Sequence, residues 1–320
     1  MAMELWNDRH HVWLRSRGTG DYLHADDDGV GVSLQGCRAT LNAAWAVHVY
    51  HNDLGMYLLL HCAAYGTYLA ATARRPPLAH RGFRVVQRNY DQPEVQSIMW
   101  QVVGAGPGTG NAVLLRNVAG RYLRANGKYL LVNNAVTVDD YDNISNMMHW
   151  IVEPIPARMG MPAISDRPIK EHLPGDFSVV VLRRTVEPLR LIRFVLSNNN
   201  GLYPEEGWLE CRYRGRSVYR LRNDLARRLG FSHGLYILMC VRAGRYGRLT
   251  PLVQNLPRHR HEVTIEIVVF MERALAARAM RHPNVDWTER GEREARTGLR
   301  WPVSGRGRPR VIYAPRRAER

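Results

Sequence analysis

One short pattern recurs three times, and it restricts the fold more than any other feature of the chain. Gly20-Asp21-Tyr22-Leu23-His24-Ala25 returns as Gly66-Thr67-Tyr68-Leu69-Ala70-Ala71 and again as Gly120-Arg121-Tyr122-Leu123-Arg124-Ala125. Gly, Tyr, Leu and Ala keep their spacing in every copy, and the tyrosines lie 46 and 54 positions apart. A second marker follows each copy: Trp45-Ala46-Val47, Trp100-Gln101-Val102 and Trp150-Ile151-Val152. Two unrelated markers that alternate in the same order three times define an internal repeat of about 50 residues.

Each copy reads as a β-hairpin followed by more strand. Leu14-Arg15-Ser16, Leu60-His61-Cys62 and Leu115-Arg116-Asn117 end a strand, and a short loop leads to the glycine, which takes positive φ without a Cβ clash. Neighbouring residues of a strand face opposite sides, so Leu23, Leu69 and Leu123 share a face with Ala25, Ala71 and Ala125. The W-x-V pairs place Trp and Val together on one face of a later strand. Three units of about four strands each close into a barrel that leaves no open edge. This predicts a β-trefoil with Trp45, Trp100 and Trp150 in its core.

The repeated G-x-Y-L-x-A followed by W-x-V resembles the fascin-like trefoil of the actin cross-linking superfamily. Met3-Glu4-Leu5, Tyr22 to Gly29, Asn42 to Val47 and Met148-His149-Trp150 are similar to one plant family, the domain of unknown function 569. Its grass members carry a second domain after the trefoil. The resemblance spans Met3 to Phe270 and implies a cytoskeletal binding module, with F-actin as the protein partner. Fascins string several trefoils together to cross-link filaments, whereas this chain carries one.

Composition sets outer limits. A chain of 320 residues with 45% hydrophobic content predicts two globular domains. No apolar run reaches the roughly 18 residues that span a bilayer, and Met1 to Arg15 lacks the apolar core of a signal peptide. No membrane association is therefore expected, and the sequence specifies no oligomeric state. Cys37, Cys62, Cys211 and Cys240 show no C-x-x-C spacing. They read as free thiols in a reducing compartment, cytoplasmic with nuclear access. Of the 45 basic residues behind the net charge of +16, only Lys128 and Lys170 are lysines. Such a bias toward arginine points to gene composition at least as much as to a polyanionic partner.

Motifs that could carry chemistry do not assemble into a site. A calcium loop starting at Asp26 would need an oxygen ligand at its fifth position and Glu at its twelfth, where Val30 and Cys37 stand. Asp26-Asp27-Asp28-Gly29 and Asp139-Asp140-Tyr141-Asp142-Asn143 read as turns. Ricin-type lectins carry Q-x-W, but Ala43, Ile98 and Met148 occupy the glutamine position here. Gly104 to Gly110 is glycine-rich yet leads into Asn111-Ala112-Val113-Leu114, not into the helix a phosphate loop requires. His259-Arg260-His261 offers two ligands without a third. No metal, cofactor or catalytic residue is predicted, and the chain reads as a non-enzymatic binding protein.

The predicted organisation is a trefoil over residues 4–153, a proline-containing linker over 154–188, a small domain over 189–270 and an arginine-rich tail over 271–320. The small domain reads as strand, turn, strand, a helix capped by Ser217 and ended by Gly230, then strands at Leu235 to Val241, Leu249 to Val253 and Val263 to Phe270. That order, ββαβββ, is similar to the ubiquitin-like β-grasp. The fold class is thus mainly β, with an α+β second domain and a disordered basic tail. Proteolysis is predicted to separate the two domains in the linker. In the tail, Arg306-Gly307-Arg308-Pro309 matches the core of an AT-hook, so Arg306 and Arg308 are candidate minor-groove contacts. Beside actin, a partner-binding or carbohydrate-binding scaffold and a DNA-associated protein are the alternative readings.

Overall fold

The computed structural model describes residues 5–53, 55–76, 80–92, 95–126, 135–140, 145–164, 189–258 and 264–287. Six strands form a closed ring: β1 (His11–Ser16), β4 (Trp45–Asn52), β5 (Gly55–Cys62), β8 (Trp100–Gly104), β9 (Ala112–Asn117) and β12 (Trp150–Ile155). Each pairs antiparallel with the next, and β12 returns to β1 in full register from His11↔Ile155 to Ser16↔Trp150. Three hairpins close one end: β2 (Tyr22–Ala25) with β3 (Val32–Gln35), β6 (Tyr68–Ala71) with β7 (Phe83–Arg88), and β10 (Tyr122–Ala125) with β11 (Val136–Asp139). This is the β-trefoil.

The two sequence markers meet in its core. Leu23, Leu69 and Leu123 are fully buried, as are Trp45, Trp100 and Trp150. Within each repeat the tryptophan indole donates to the carbonyl of the motif leucine: Trp45 to Leu23 at 3.0 Å, Trp100 to Leu69 at 2.9 Å, Trp150 to Leu123 at 3.0 Å. A buried indole N–H needs a partner, and a cap strand offers its carbonyl at the same place three times. Ala25, Ala71 and Ala125 line the same cluster, where a larger side chain would separate the hairpins. Gly20, Gly66 and Gly120 precede these strands with φ of +80°, +72° and +82°.

The second domain is a five-stranded sheet in the order β15–β14–β18–β16–β17. Its strands are β14 (Leu189–Leu196), β15 (Leu209–Arg214), β16 (Ile237–Arg242), β17 (Leu249–Pro251) and β18 (Thr264–Met271). β14 and β18 run parallel at the centre, and the other pairs are antiparallel. Helix α1 (Val218–Arg228) is capped by Ser217, whose hydroxyl accepts from the Arg220 amide. It lays Val218, Leu221 and Leu225 on Ile192, Phe194, Met239 and Ile267. This is the β-grasp arrangement. The strand expected from Leu235 begins instead at Ile237, because Gly234–Tyr236 form a 3-10 turn whose first amide is held by Asn223 Oδ1.

Two boundaries read from composition are corrected. The tail does not begin at Met271, which belongs to β18. Beyond it, helix α2 (Leu275–Arg278) is fixed by Asn199, which accepts the Leu275 amide on its side chain and the Ala276 amide on its backbone. Ala274 and Ala277 then cover the second face of the sheet with Val195, Leu238, Cys240, Val268 and Phe270. Nor are residues 154–164 a free connector. Pro154 and Ile155 complete β12, and β13 (Ala157–Arg158) pairs with β19 (His282–Pro283). Met161 and Ile164 pack on the two faces of the β-grasp domain. Residues 177–182, 259–261, 306 and 308, singled out in the sequence, lie outside the described residues.

Candidate functional site between the domains

The three motif tyrosines occupy equivalent strand positions and meet three different environments. Tyr22 is half-buried and donates to Glu153 Oε2 at 3.3 Å. Glu153 also receives Arg15 at 2.6 Å and Arg38 at 3.1 Å, and the Arg38 guanidinium lies 4.6 Å over the Trp13 ring. Tyr122 packs against Leu114 and Met148. Tyr68 is fully buried, and its hydroxyl accepts the Arg248 amide at 3.0 Å from the other domain. Burial pushes the Tyr68 phenol up to about 12. His48 Nδ1 lies 3.2 Å from the same oxygen.

Around Tyr68 the second repeat forms the seat for the β-grasp domain. Thr250 Oγ1 meets His61 Nδ1 at 3.2 Å, and a Cβ added to Gly66 would stand 3.0 Å from that hydroxyl. The Tyr90 amide donates to Ala243 O and the Tyr246 amide to Tyr90 O, both at 2.8 Å. Their rings stand 5.6 Å apart. Gly244 sits between them at φ +90°, where only glycine fits: a Cβ would be 2.5 Å from the Tyr90 carbonyl carbon. Arg248 extends to Asp8 at 2.7 Å. Gln254 donates to Asn42 and Tyr65, while Asp27 faces Arg216 at 3.7 Å and Arg258 at 3.9 Å. Burial, with neighbouring cations, holds the His48 imidazole down at about 4 and that of His61 well below its usual range. Both are neutral at pH 7, as a dry, hydrogen-bonded interface requires.

These contacts link the domains through backbone hydrogen bonds, of which the one between Tyr90 and Ala243 joins two buried residues. A cut in the linker would therefore leave the two domains joined by these contacts.

Docking leaves a cleft of about 1030 Å³ between the Asn89–Asp91 segment and the outer face of the β-grasp sheet. One row of that face carries alternating charge across four strands: Glu210, Arg193, Glu266 and Arg242. Arg193 lies 3.2 Å from Glu210 and 2.9 Å from Glu266, and Arg242 lies 2.8 Å from Glu266. Trp208 covers the row, with Arg242 4.5 Å from its ring centroid, and Tyr203 flanks it at 5.7 Å. These contacts hold the guanidinium planes flat and fix the cleft floor. Glu205 pairs with Arg245 at the rim. Asp91 from the trefoil and Glu206 from the β-grasp domain form no ion pair among the described residues. A second cavity of about 360 Å³ opens from the same place and shares Asn89, Asp91, Arg242, Thr264 and Glu266.

The remaining sequence candidates resolve locally. Asp28 Oδ1 accepts the Val30 and Gly31 amides, and Asp26 accepts Ser33 Oγ at 2.5 Å, so this aspartate run closes a turn. Asp139 ends β11, buried 3.8 Å from Arg124. Gly104 ends β8, and the glycine-rich stretch is the loop into β9. Sequence reasoning missed Tyr90, Tyr203, Trp208, Arg242, Gly244, Arg248, Thr250 and Glu266. The nearest local signal was Trp208, an indole directly after the polar Glu205-Glu206-Gly207 turn.

Comparison with known proteins agrees with the architecture. A family model described as a β-trefoil domain of unknown function (DUF569) matches residues 3–153. A model described as a DUF569-associated ubiquitin-like domain matches residues 188–270. No curated protein matches the chain. Among solved structures, an SDF2-like protein from Arabidopsis thaliana is 15% identical with a TM-score of 0.38, covering 45% of this chain and 92% of that one. A Caenorhabditis elegans protein with unknown function is 17% identical with a TM-score of 0.37, covering 45% and 93%. The designed three-fold symmetric protein ThreeFoil is 20% identical with a TM-score of 0.36, covering 45% and 97%. The chain thus belongs to the DUF569 β-trefoil family and carries that family's associated ubiquitin-like domain.

Proposed function

We propose that this protein is a non-enzymatic binding protein whose two domains act as one body, and that its partner is a polypeptide presenting Lys or Arg side chains to the interdomain cleft. One observation carries the reading. In a chain of net charge +16, the cleft collects Asp91, Glu205, Glu206, Glu210 and Glu266 against three arginines. Two of those arginines already serve Glu266. Screening shortens electrostatic reach to about 8 Å at physiological ionic strength, so a ligand in the cleft responds to these carboxylates more than to the distant arginines. Tyr203 and Tyr246 line the cleft with their rings beside Arg242 and Arg245. A saccharide would use the same rings but gains little from unpaired carboxylates on both walls.

What supports a non-enzymatic role is the state of the reactive groups. His48, His61 and His282 are neutral and packed, and burial raises the Cys62 thiol to about 12. Four free cysteines support a reducing, cytoplasmic setting. The test is fluorescence anisotropy with a labelled Arg/Gly octapeptide and its Glu/Gly counterpart. The basic peptide should bind, and Asp91→Asn with Glu206→Gln should weaken it about ten-fold or more. Preference for the acidic peptide, or indifference to both substitutions, overturns the reading.

A further inference from the structure

The two edges of the β-grasp sheet differ. β17 is three residues long, ends in Pro251 and lies against the trefoil through Thr250 and the preceding Arg248. Shortness, proline and a covering element all blunt a sheet edge. At the other edge stands β15, Leu209-Glu210-Cys211-Arg212-Tyr213-Arg214, which pairs with β14 on one side. Among the described residues no strand pairs with its other side. Such an edge is a template for a further strand.

Strand alternation sorts the side chains of β15. Cys211 and Tyr213 pack in the core beneath α1, and Leu209 shares that face but is 52% exposed. Glu210, Arg212 and Arg214 are exposed on the opposite face, the one that floors the cleft. There the row Arg242, Glu266, Arg193 and Glu210 alternates in sign from strand to strand and stops on a carboxylate. The Glu210 side chain is 53% exposed, and a cation on the next strand outward would continue the row. Arg212 and Arg214 form no ion pair among the described residues.

β15 itself supplies that cation. Two identical antiparallel strands pair about a two-fold axis, and inward and outward hydrogen-bonding positions alternate along each, so the axis passes through a residue. The axes with the greatest overlap pass through Cys211 and Arg212. An axis at Arg212 opposes that guanidinium to its own copy, and like charges directly opposite destabilise a sheet. An axis at Cys211 opposes Glu210 to Arg212 twice, with no like-charged pair, and sets the exposed Leu209 against Tyr213 on the other face. We infer that this chain forms a symmetric dimer in which β15 pairs antiparallel with β15 of a second copy, in register about Cys211. The charge row then continues from Glu210 onto Arg212 of the second copy, and both clefts open on the same face of one continuous sheet. The inference does not rest on the peptide reading, because peptide binding to the cleft requires no dimer.

Sedimentation equilibrium of the full chain over a wide concentration range tests it. A reversible monomer–dimer equilibrium is expected. Glu210→Arg and Arg212→Glu should each weaken the dimer about ten-fold or more, because each makes two attractive pairs repulsive. Mixed in equal amounts, the two variants should dimerise again, since every opposed pair regains opposite signs. Arg212→Ala, which leaves Glu210 and its pairing with Arg193 intact, should weaken the dimer about three-fold or more, so the test survives a charge reversal that fails to fold. Arg214→Glu should change it by less than about two-fold, which separates this register from the one centred on Arg212. A chain that stays monomeric at every concentration, a dimer indifferent to the substitutions at Glu210 and Arg212, or folded variants whose mixture stays monomeric overturns the inference.

Discussion

Gly244→Ala is the sharpest perturbation the interdomain seat offers. Two terms set its cost. An L-residue in the left-handed region costs about 1–2 kcal/mol, and Gly244 sits at φ +90°. The new Cβ would also stand 2.5 Å from the carbonyl carbon and 2.6 Å from the carbonyl oxygen of Tyr90. Both atoms are backbone, so relief requires the domains to separate. Separation lengthens the Tyr90–Ala243 and Tyr246–Tyr90 hydrogen bonds, each 2.8 Å, at about 0.5–1.5 kcal/mol apiece. The total is about 2–5 kcal/mol. Gly20→Ala is the control: φ is +80° there, but nothing lies within 4 Å of the added Cβ, so only the first term applies. Urea unfolding followed by tryptophan fluorescence compares them. Gly244→Ala should lose about 1–3 kcal/mol more than Gly20→Ala and split the transition in two. Equal losses, with one transition in both variants, would refute the reasoning.

Other outcomes follow from the same geometry. Leu23→Ala, Leu69→Ala and Leu123→Ala should each cost about 2–5 kcal/mol by chemical denaturation, and a near-zero loss at any one would break the three-fold equivalence. His11, His48 and His282 sit at about 4 when folded, chiefly through burial, against 6.5 when unfolded. The unfolded chain therefore binds more protons between those values. Stability is full above pH 6.5 and falls as pH drops toward 4, by up to about 1.4 kcal/mol per unit for each imidazole. A thermal midpoint that holds steady from pH 7 to pH 5 would contradict this. In cosedimentation, the monomer should form no actin bundles, since one trefoil with its second-repeat face covered leaves no paired filament site; bundles formed by a proven monomer would contradict that.

The sequence revealed the barrel because its signals are local and repeated. Leu23 and Ala25 share a face by strand alternation alone, and Trp45 recurs at matched intervals. Ser217 and Gly230 marked the helix ends in the same local way. The seat was hidden because Gly66-x-Tyr68-Leu69 reads like its two siblings; nothing in the motif says which tyrosine is covered by another domain. The charge row was hidden for a different reason. Glu210, Arg193, Glu266 and Arg242 meet only through the register of four strands, and register across a parallel pair is a tertiary property. The misplaced boundary at Met271 came from reading composition over 50 residues. That window buried the small apolar pair Ala274 and Ala277 among arginines.

Amide hydrogen exchange at Tyr90, Tyr246 and Arg248 measures the interlock most directly, because all three amides donate across the interface. If the trefoil and the β-grasp domain are one body, these amides open only with global unfolding. Their exchange free energies should then match those of Val47 in the barrel and Ile267 in the β-grasp sheet. Fast exchange at the three interface amides, while Val47 and Ile267 stay protected, would show domains that separate freely and would contradict the account.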